Sequence, residues 1–210
     1  MKKIVVLDYG LGNVRSVANA LRTIGASPEI SHDPDALSGA DGLVIPGVGA
    51  FPRAMENLTQ TGLIPRITAF VTSGRPVLGI CVGMQVLFDY GLEFGNTPGL
   101  GLIAGSVEKI PVPPSEGRLP HIAWSTVTAT PLGRRTLLAG MADHEMRFYF
   151  VHSYAAVGVP ETALVASADY LGHRITAAVQ HDNVFATQFH PEKSGPSGLR
   201  LLANFVGQCA

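Results

Sequence analysis

A cysteine stands between two glycines in the segment Gly79-Ile80-Cys81-Val82-Gly83, where an apolar stretch runs into a segment predicted to be helical. This is the layout of a nucleophile elbow, a sharp strand-to-helix turn that lifts one reactive side chain out of a sheet. Flanking glycines relieve backbone crowding at such a turn, and the N-terminus of the following helix favours a negatively charged sulfur. The sequence therefore offers Cys81 as a nucleophile, with an ordinary buried cysteine as the alternative.

A histidine and a carboxylate near the other end of the chain could activate that sulfur. His190 and Glu192 flank Pro191 and follow the apolar stretch 184–187. A nucleophilic cysteine needs a base, and the base needs a third group that fixes its tautomer and orientation. Proline restricts the backbone, so both side chains can lie on the same side at the end of one strand. Because sites in open parallel sheets collect at the carboxyl ends of strands, we predict a catalytic triad with Cys81.

A glycine-rich loop, residues 46–49, follows the strand-like run 42–45. Attack of a thiolate on an acyl carbon builds negative charge on oxygen, and two convergent backbone N–H groups are the usual stabilisers. Val82, one residue past the cysteine, is the expected first donor, and Val48 or Gly49 is the expected second. An ordinary turn is the alternative interpretation of this loop.

These motifs together resemble those of the class I (triad) glutamine amidotransferases. The elbow at 79–85 and the His-Pro-Glu motif at 190–192 are specific to that class. One departure lies at 120–125 (PHIAWS), where the more closely similar members often have glycine before the tryptophan and asparagine after it. Four segments resemble in particular the glutaminase subunits of imidazole glycerol phosphate synthase: 8–13 (DYGLGN), 46–51 (PGVGAF), 148–154 (FYFVHSY) and 188–194 (QFHPEKS).

The resemblance implies that glutamine is hydrolysed to glutamate and ammonia through a thioester on Cys81. It assigns proton transfer to His190 and orientation of the imidazole ring to Glu192. It also implies three substrate-binding residues, Gly47, Gln85 and Glu93.

The partner implied by the resemblance is the cyclase subunit of imidazole glycerol phosphate synthase, which forms a heterodimer and receives ammonia through a sheltered channel. Because free hydrolysis of glutamine would be wasteful, we expect low activity in the isolated subunit and stimulation by the cyclase with its ribonucleotide ligand. A peptide of the loop 46–49 that turns its carbonyl into the site would be a switch. The resemblance also suggests that His121 and His152 face the partner.

Two other interpretations stay open. The chain could be a triad glutaminase that feeds a different synthase, for example in pyridoxal phosphate, anthranilate or purine formation. Alternatively, it could be a flavodoxin-like binding module whose cysteine is structural. Covalent trapping of Cys81 by a glutamine-like diazoketone would distinguish an enzyme from a module.

Composition narrows the functional classes. With 210 residues, 46% of them hydrophobic and 15% charged, the chain can bury one large core, so we predict a single domain over residues 1–210. Since 15 Lys and Arg balance 16 Asp and Glu without a basic cluster, neither nucleic acid nor an anionic membrane is an expected partner. The apolar run after Met1 is too short for a signal peptide, and two cysteines fit a reducing compartment, so we predict a cytoplasmic protein.

No cofactor or metal is expected. The loop 8–13 joins a strand to a helix but lacks the third glycine and the later acidic residue of a dinucleotide fingerprint, so we interpret it as scaffold or partner contact. The histidines lack the paired spacing of metal ligands, and Cys81 and Cys209 lie far apart.

Alternation of apolar bursts with helical stretches predicts an α/β fold: a flavodoxin-like, doubly wound, mostly parallel sheet with an antiparallel extension, as in class I glutamine amidotransferases. The predicted strands of the parallel part are 3–7, 28–31, 42–45, 76–80 and 184–189. The predicted helices are 13–24, 54–60, 63–73, 84–90 and 197–206. The β-rich segments predicted to extend the same sheet are 102–110, 147–151, 163–168 and 175–180.

Overall fold

Near-continuous apolar runs form the central strands, as expected of strands that are buried on both faces of a sheet. The computed structural model, which describes residues 1–209, places five strands side by side and parallel. Thirteen strands lie within these residues: β1 (Lys3–Leu7), β2 (Ser27–Ser31), β3 (Gly42–Gly47), β4 (Val77–Cys81), β5 (Phe88–Gly91), β6 (Thr97–Pro98), β7 (Ile103–Lys109), β8 (His121–Ala129), β9 (Arg147–His152), β10 (Tyr154–Val157), β11 (Leu164–Tyr170), β12 (His173–His181) and β13 (Val184–Thr187).

The strands form two sheets. The larger has the order β2-β1-β3-β4-β13-β12-β11-β8-β9, with its first five strands parallel and the others antiparallel to their neighbours. Its register sets Gly47 beside Cys81 and Ile80 beside Thr187, so the carboxyl ends of β3, β4 and β13 meet. The smaller sheet has the order β10-β7-β5-β6. The predicted flavodoxin-like sheet with an antiparallel extension is confirmed.

Helices cover the parallel part of the large sheet. The connections from β1 to β2 and from β3 to β4 run in opposite directions along the sheet, so right-handed crossovers put their helices on opposite faces. The point where strand order reverses is where open α/β sheets bind ligands. The helices are α1 (Val14–Thr23), α2 (Phe51–Gln60), α3 (Ile64–Thr72), α4 (Val82–Gln85), α5 (Pro131–Arg135) and α6 (Gly195–Val206), with short 3₁₀ turns at Pro34–Gly39, Asp143–Glu145 and Pro191–Lys193.

The helix predicted at 84–90 is wrong. It ends at Gln85, and Phe88–Gly91 is strand β5. The backbone N–H groups of residues 100, 102 and 103 donate to the carbonyls of Val86 and Leu87, which a longer helix would use itself. Pairing with distant residues therefore overrides local helix propensity here.

The extension of the sheet is also only partly as predicted. Three of the four β-rich segments join the large sheet as β9, β11 and β12, but Ile103–Lys109 pairs with β5 and β10 in the small sheet. The strand His121–Ala129 was not predicted, although its buried residues alternate with more exposed ones. It lies between β11 and β9, and Pro120, the residue before it, lines the same pocket as Cys81.

One hydrophobic cluster runs through both sheets and the helices that pack on them, and it includes Phe51, Phe148, Phe150, Phe189 and Phe205. This shared core supports the prediction of a single domain. Within residues 1–209, no helix has both the length and the apolar character that crossing a membrane requires.

Candidate active site

Cys81 ends β4 and turns sharply into α4. Its φ of 56° and ψ of −112° lie in a region that L-residues rarely adopt. Gly79 and Gly83 make this turn possible: a Cβ on Gly79 would lie 2.5 Å from the carbonyl oxygen of Gly83, and a Cβ on Gly83 would overlap that of Ile45. The segment therefore has the geometry of a nucleophile elbow.

The helix that follows Cys81 has only four residues, so few peptide dipoles align towards the sulfur. The contribution of the helix N-terminus to a negative sulfur is therefore smaller than the sequence suggested. Two other groups approach Sγ of Cys81: the side-chain nitrogen of Gln188 at 3.7 Å and the backbone oxygen of Val151 at 4.0 Å.

His190 and Glu192 form a buried pair just beyond β13. Nδ1 of His190 lies 2.8 Å from Oε1 of Glu192, and the two side chains are 2% and 1% exposed. Because an ionised carboxylate only accepts, Nδ1 carries a proton, and Nε2 has no hydrogen-bond partner within residues 1–209. His190 lines the same pocket as Cys81, which leaves Nε2 available for proton transfer.

The charge of His190 follows from these neighbours. Burial lowers its pKa, but interactions with Cys81 and Glu192 outweigh burial and raise this pKa from 6.5 to about 9. His190 is therefore protonated at neutral pH, between a sulfur and a carboxylate. The structure brings the three residues predicted to be catalytic into one place.

The predicted oxyanion donors also lie at the pocket. Val48, Gly49 and Val82 all line it. The N–H groups of Val48 and Gly49 donate no hydrogen bond to other groups within residues 1–209, and Gly49 has a φ of +94°, which suits glycine. Gly47 is different, since it is the buried last residue of β3, where a Cβ would lie 2.8 Å from Oη of Tyr9.

The predicted substrate residues Gln85 and Glu93 line the pocket and are also tied to the framework. Nε2 of Gln85 donates to the carbonyl oxygen of Tyr154 at 3.0 Å and to Oε1 of Gln188 at 3.0 Å. Oε2 of Glu93 accepts from the N–H of Phe51 at the start of α2, at 2.8 Å. Each side chain keeps one oxygen that makes no hydrogen bond within residues 1–209 and can receive a ligand.

The pocket has a volume of about 390 Å³, which suits a small ligand. Glu93 and Lys193 contribute opposite charges to its wall. An amino acid carries both an ammonium and a carboxylate group, so this pair of charges matches a free amino acid. The site can therefore hold such a substrate against a thiol and an imidazole, beside a loop with two N–H groups that are unpaired within the described residues. Acyl transfer requires groups of these kinds.

A model of the glutamine amidotransferase class-I family matches residues 5–209. The chain belongs to this family. Three relatives are named imidazole glycerol phosphate synthase subunit HisH. The protein of Symbiobacterium thermophilum is 46% identical over 98% of this chain and 93% of its own length. That of Corynebacterium diphtheriae is 45% identical over 98% and 99%, and that of Mycobacterium tuberculosis 47% identical over 98% and 97%.

Solved structures share the fold of this amidotransferase. The structure of PurLQS from Thermotoga maritima superposes with a TM-score of 0.75 at 20% identity and covers 99% of each chain. A structure titled glutamine amidotransferase superposes with a TM-score of 0.72 at 20% identity, over 97% of this chain and 98% of its own.

The amidotransferase holds His190 through two residues that the sequence did not single out. Oγ of Ser194 donates to the carbonyl oxygen of His190 at 2.6 Å and accepts from the N–H of Tyr149 at 3.0 Å. The N–H of His190 donates to the carbonyl of Tyr149 at 3.0 Å. A serine four residues after a histidine can donate to its carbonyl, so Ser194 could have been predicted from the sequence. The contact with Tyr149 could not, because it joins segments that are far apart in the sequence.

His121 and His152, which the resemblance suggests face the partner, are both buried within the chain itself, so contact with the partner stays a prediction. Nδ1 of His121 lies 3.1 Å from Nε2 of His152, and Nδ1 of His152 lies 2.8 Å from the carbonyl oxygen of Tyr154. A carbonyl only accepts, so Nδ1 of His152 carries its proton and His121 donates to His152. Burial, together with nearby histidines, lowers the pKa of His152 to about 4, so this amidotransferase keeps it neutral near pH 7.

Proposed function

We propose that this chain is the glutaminase subunit of imidazole glycerol phosphate synthase, which hydrolyses glutamine and delivers ammonia to the cyclase subunit in histidine biosynthesis. The observation that carries this proposal is that His190, paired with the buried Glu192, lines one pocket with the strained Cys81. Relatives of that name at 45–47% identity over nearly the whole chain support the choice of this synthase.

The proposed reaction begins when Sγ of Cys81 attacks the side-chain carboxamide carbon of glutamine. The N–H of Val82, with that of Val48 or Gly49, stabilises the oxygen that becomes negative. His190 gives its Nε2 proton to the leaving nitrogen, and ammonia departs. Water then attacks the remaining thioester, His190 takes a proton from it, and glutamate and the free cysteine are released.

The charges at the pocket wall support glutamine as the substrate. In this proposal the free oxygens of Gln85 and Glu93 accept from the α-ammonium group, and Lys193 lies near the α-carboxylate. The contact of Gly47 with substrate stays a prediction, because Gly47 is buried at the end of β3 and does not line the pocket.

We infer a heterodimer with the cyclase, in which ammonia passes between the subunits without reaching bulk water. Ile122 and Trp124, 58% and 46% exposed on β8, lie two and four residues after Pro120, which lines the pocket. Exposed apolar residues beside a pocket favour a partner surface there. The cytoplasmic location stays a prediction, and the two cysteines are both free thiols.

Glutamate release from purified protein tests this function. We expect slow release by the isolated chain and release at least tenfold faster when the cyclase and its ribonucleotide ligand are present, because the loop 46–49 then presents its donors. Cys81→Ala should abolish release and also labelling by a glutamine-like diazoketone. Release from the assembled pair no faster than from its Cys81→Ala variant would disprove the function.

Equal rates with and without cyclase would disprove only the regulation. Activation by an anthranilate or purine synthase in place of the cyclase would identify a different ammonia acceptor.

A further inference from the structure

Gln188 is the residue after β13, the strand beside the elbow. The parallel register pairs Thr187 with Ile80, so the next position sets Gln188 against Cys81. The N–H of Gln188 donates to the carbonyl of Ala177 at 2.8 Å, and its side chain is fully buried. Nε2 of Gln188 lies 3.7 Å from Sγ of Cys81, within the range of a hydrogen bond to sulfur.

The surrounding hydrogen bonds fix which end of this amide faces the sulfur. The carbonyl oxygen of Tyr154 can only accept, so the atom of Gln85 that lies 3.0 Å from it is the nitrogen. That same nitrogen lies 3.0 Å from Oε1 of Gln188, which must therefore be the acceptor. The NH₂ group of Gln188 is left to point at Cys81.

We propose that Gln188 is a positioning residue of the glutaminase reaction: it donates an N–H to Sγ of Cys81, keeps the thiolate directed towards His190 and stabilises its charge, while Gln85 holds the amide of Gln188 in place. This inference rests on the proposed function. It assigns Gln85 a second role, which is to orient the amide of Gln188, in addition to its predicted contact with substrate.

Besides His190, whose positive charge acts on the sulfur, the other neighbours of Cys81 contribute little to stabilising a thiolate. The helix α4 is too short to contribute much through its dipole, and the oxygen of Val151 at 4.0 Å can accept from a thiol but repels a thiolate. When Cys81 ionises, it therefore loses one contact on the β9 side. The amide of Gln188 is the neutral donor that strengthens at that moment, since hydrogen bonds to charged groups are stronger than neutral ones.

Several titratable groups lie around Cys81, and their charges also influence how readily its thiol ionises. His190 and Glu192 approach from the end of β13, His152 from β9 and Tyr9 from the end of β1. Across the pocket lie the charged side chains of Glu93 and Lys193. A substitution of Gln188 leaves all of these in place, so a difference between variants reports on the amide.

The test measures the rate at which iodoacetamide alkylates Cys81 between pH 5 and pH 10, in the complex with cyclase and without glutamine, with the modified cysteine assigned by peptide mass. The variant Gln188→Glu keeps the shape but sets a carboxylate near the sulfur. Its alkylation midpoint should move up by about one pH unit or more, and kcat should fall at least about tenfold with little change in KM.

Gln188→Met removes the donor without adding charge and should shift the midpoint in the same direction by less. Gln85→Met, which releases the amide, should also raise the midpoint although no substrate is present. Gln208→Glu, an exposed glutamine, is the matched control and should leave the profile unchanged. Thermal melting of each variant reports whether it is folded.

An unchanged alkylation profile in folded Gln188→Glu or Gln188→Met, with an active wild-type complex, would overturn this inference and leave the proposed function standing. Wild-type protein that releases no glutamate with the cyclase would instead overturn the proposed function.

Discussion

The carboxylate of Glu192 determines which proton His190 can move. By accepting from Nδ1 at 2.8 Å, it keeps Nε2 directed at the pocket and helps to raise the pKa of His190 to about 9. An imidazolium can give a proton to the leaving nitrogen but must first lose it to act on water. The same pair therefore serves both halves of the proposed reaction: His190 first gives a proton to the leaving nitrogen and then takes one from water. The reaction rate depends on Glu192 keeping Nε2 directed at the pocket more than on the basicity of the imidazole.

Glu192→Gln should lower glutamate release by the assembled enzyme about 10²- to 10⁴-fold, because an amide can present its NH₂ group to Nδ1 and favour the wrong tautomer. The pH–rate profile should also show a group that titrates below 9. Steady-state rates between pH 6 and pH 10 measure both effects, with the exposed Glu116→Gln as control. A rate within twofold of wild type would contradict the assignment of Glu192.

The buried His152 should make the stability of the fold sensitive to acid. Its pKa is about 4 in the folded chain, mainly because of burial, and near its ordinary value of 6.5 in the unfolded chain. Between these values only the unfolded chain binds the proton, so the free energy of unfolding falls as the pH drops from 6.5 to 4, by about 3 kcal/mol from this group.

In His152→Gln this part of the pH dependence should be absent, although the variant is less stable at pH 7. Urea unfolding at pH 7, 5.5 and 4 measures the slope, and the exposed His144→Gln serves as control. A slope as steep in His152→Gln as in the wild type would show that another group causes the acid sensitivity.

At the scale of elements, the site depends on the close approach of the elbow to β3. Gly83 lies against the carbonyl of Ile45, and the adjacent loop supplies the oxyanion donors. A β-carbon at this point would push β3 and the elbow apart, and with them the two halves of the oxyanion site.

Gly83→Ala should therefore destabilise the fold by about 3 kcal/mol or more, and the remaining folded protein should hydrolyse glutamine slowly. Gly39→Ala is the control, since a Cβ there meets only Nζ of Lys3 at 3.9 Å, and its effect should be under about 1 kcal/mol. Urea unfolding of both variants provides the comparison. Equal stabilities would mean that the elbow can shift without strain.

The sequence predicts well those helices, strands and turns whose residue pattern lies within the segment itself. The parallel strands follow from apolar runs such as 42–45 and 76–80, and the elbow follows from its glycine spacing. The helix at 84–90 fails because its carbonyls pair with residues 100–103, which no local pattern reveals. The same limit applies to the site: His190 and Glu192 share one motif, whereas Gln188 meets Cys81 across 107 residues, and only strand order brings them together.

In the whole molecule, the pocket lies between the ends of the parallel strands and β9, the last strand of the antiparallel part of the large sheet. Cys81 and His190 come from β4 and the end of β13, whereas Val151 and His152 come from β9 at the far edge. Hydrogen bonds continue from His152 through His121 to Ser125 on β8. The inward face of β8 is therefore joined to the wall of the pocket through these polar contacts. Its opposite face carries the exposed Ile122 and Trp124, and this is the side on which we infer that the cyclase binds.

Trp124→Ala tests that location. Trp124 is 46% exposed and packs edge-on against Tyr149, with ring centroids 6.1 Å apart. Because this contact already restricts its side chain, a partner can bury its large apolar surface with little loss of side-chain entropy. Burial of such a tryptophan at an interface commonly contributes 2 kcal/mol or more, so the Kd for the cyclase should rise about 30-fold. Ile30→Ala, on β2 at the opposite edge of the sheet, should leave the Kd unchanged. Titration calorimetry with purified cyclase measures both, and a Kd that responds to Ile30 and not to Trp124 would place the partner at the other end of the molecule.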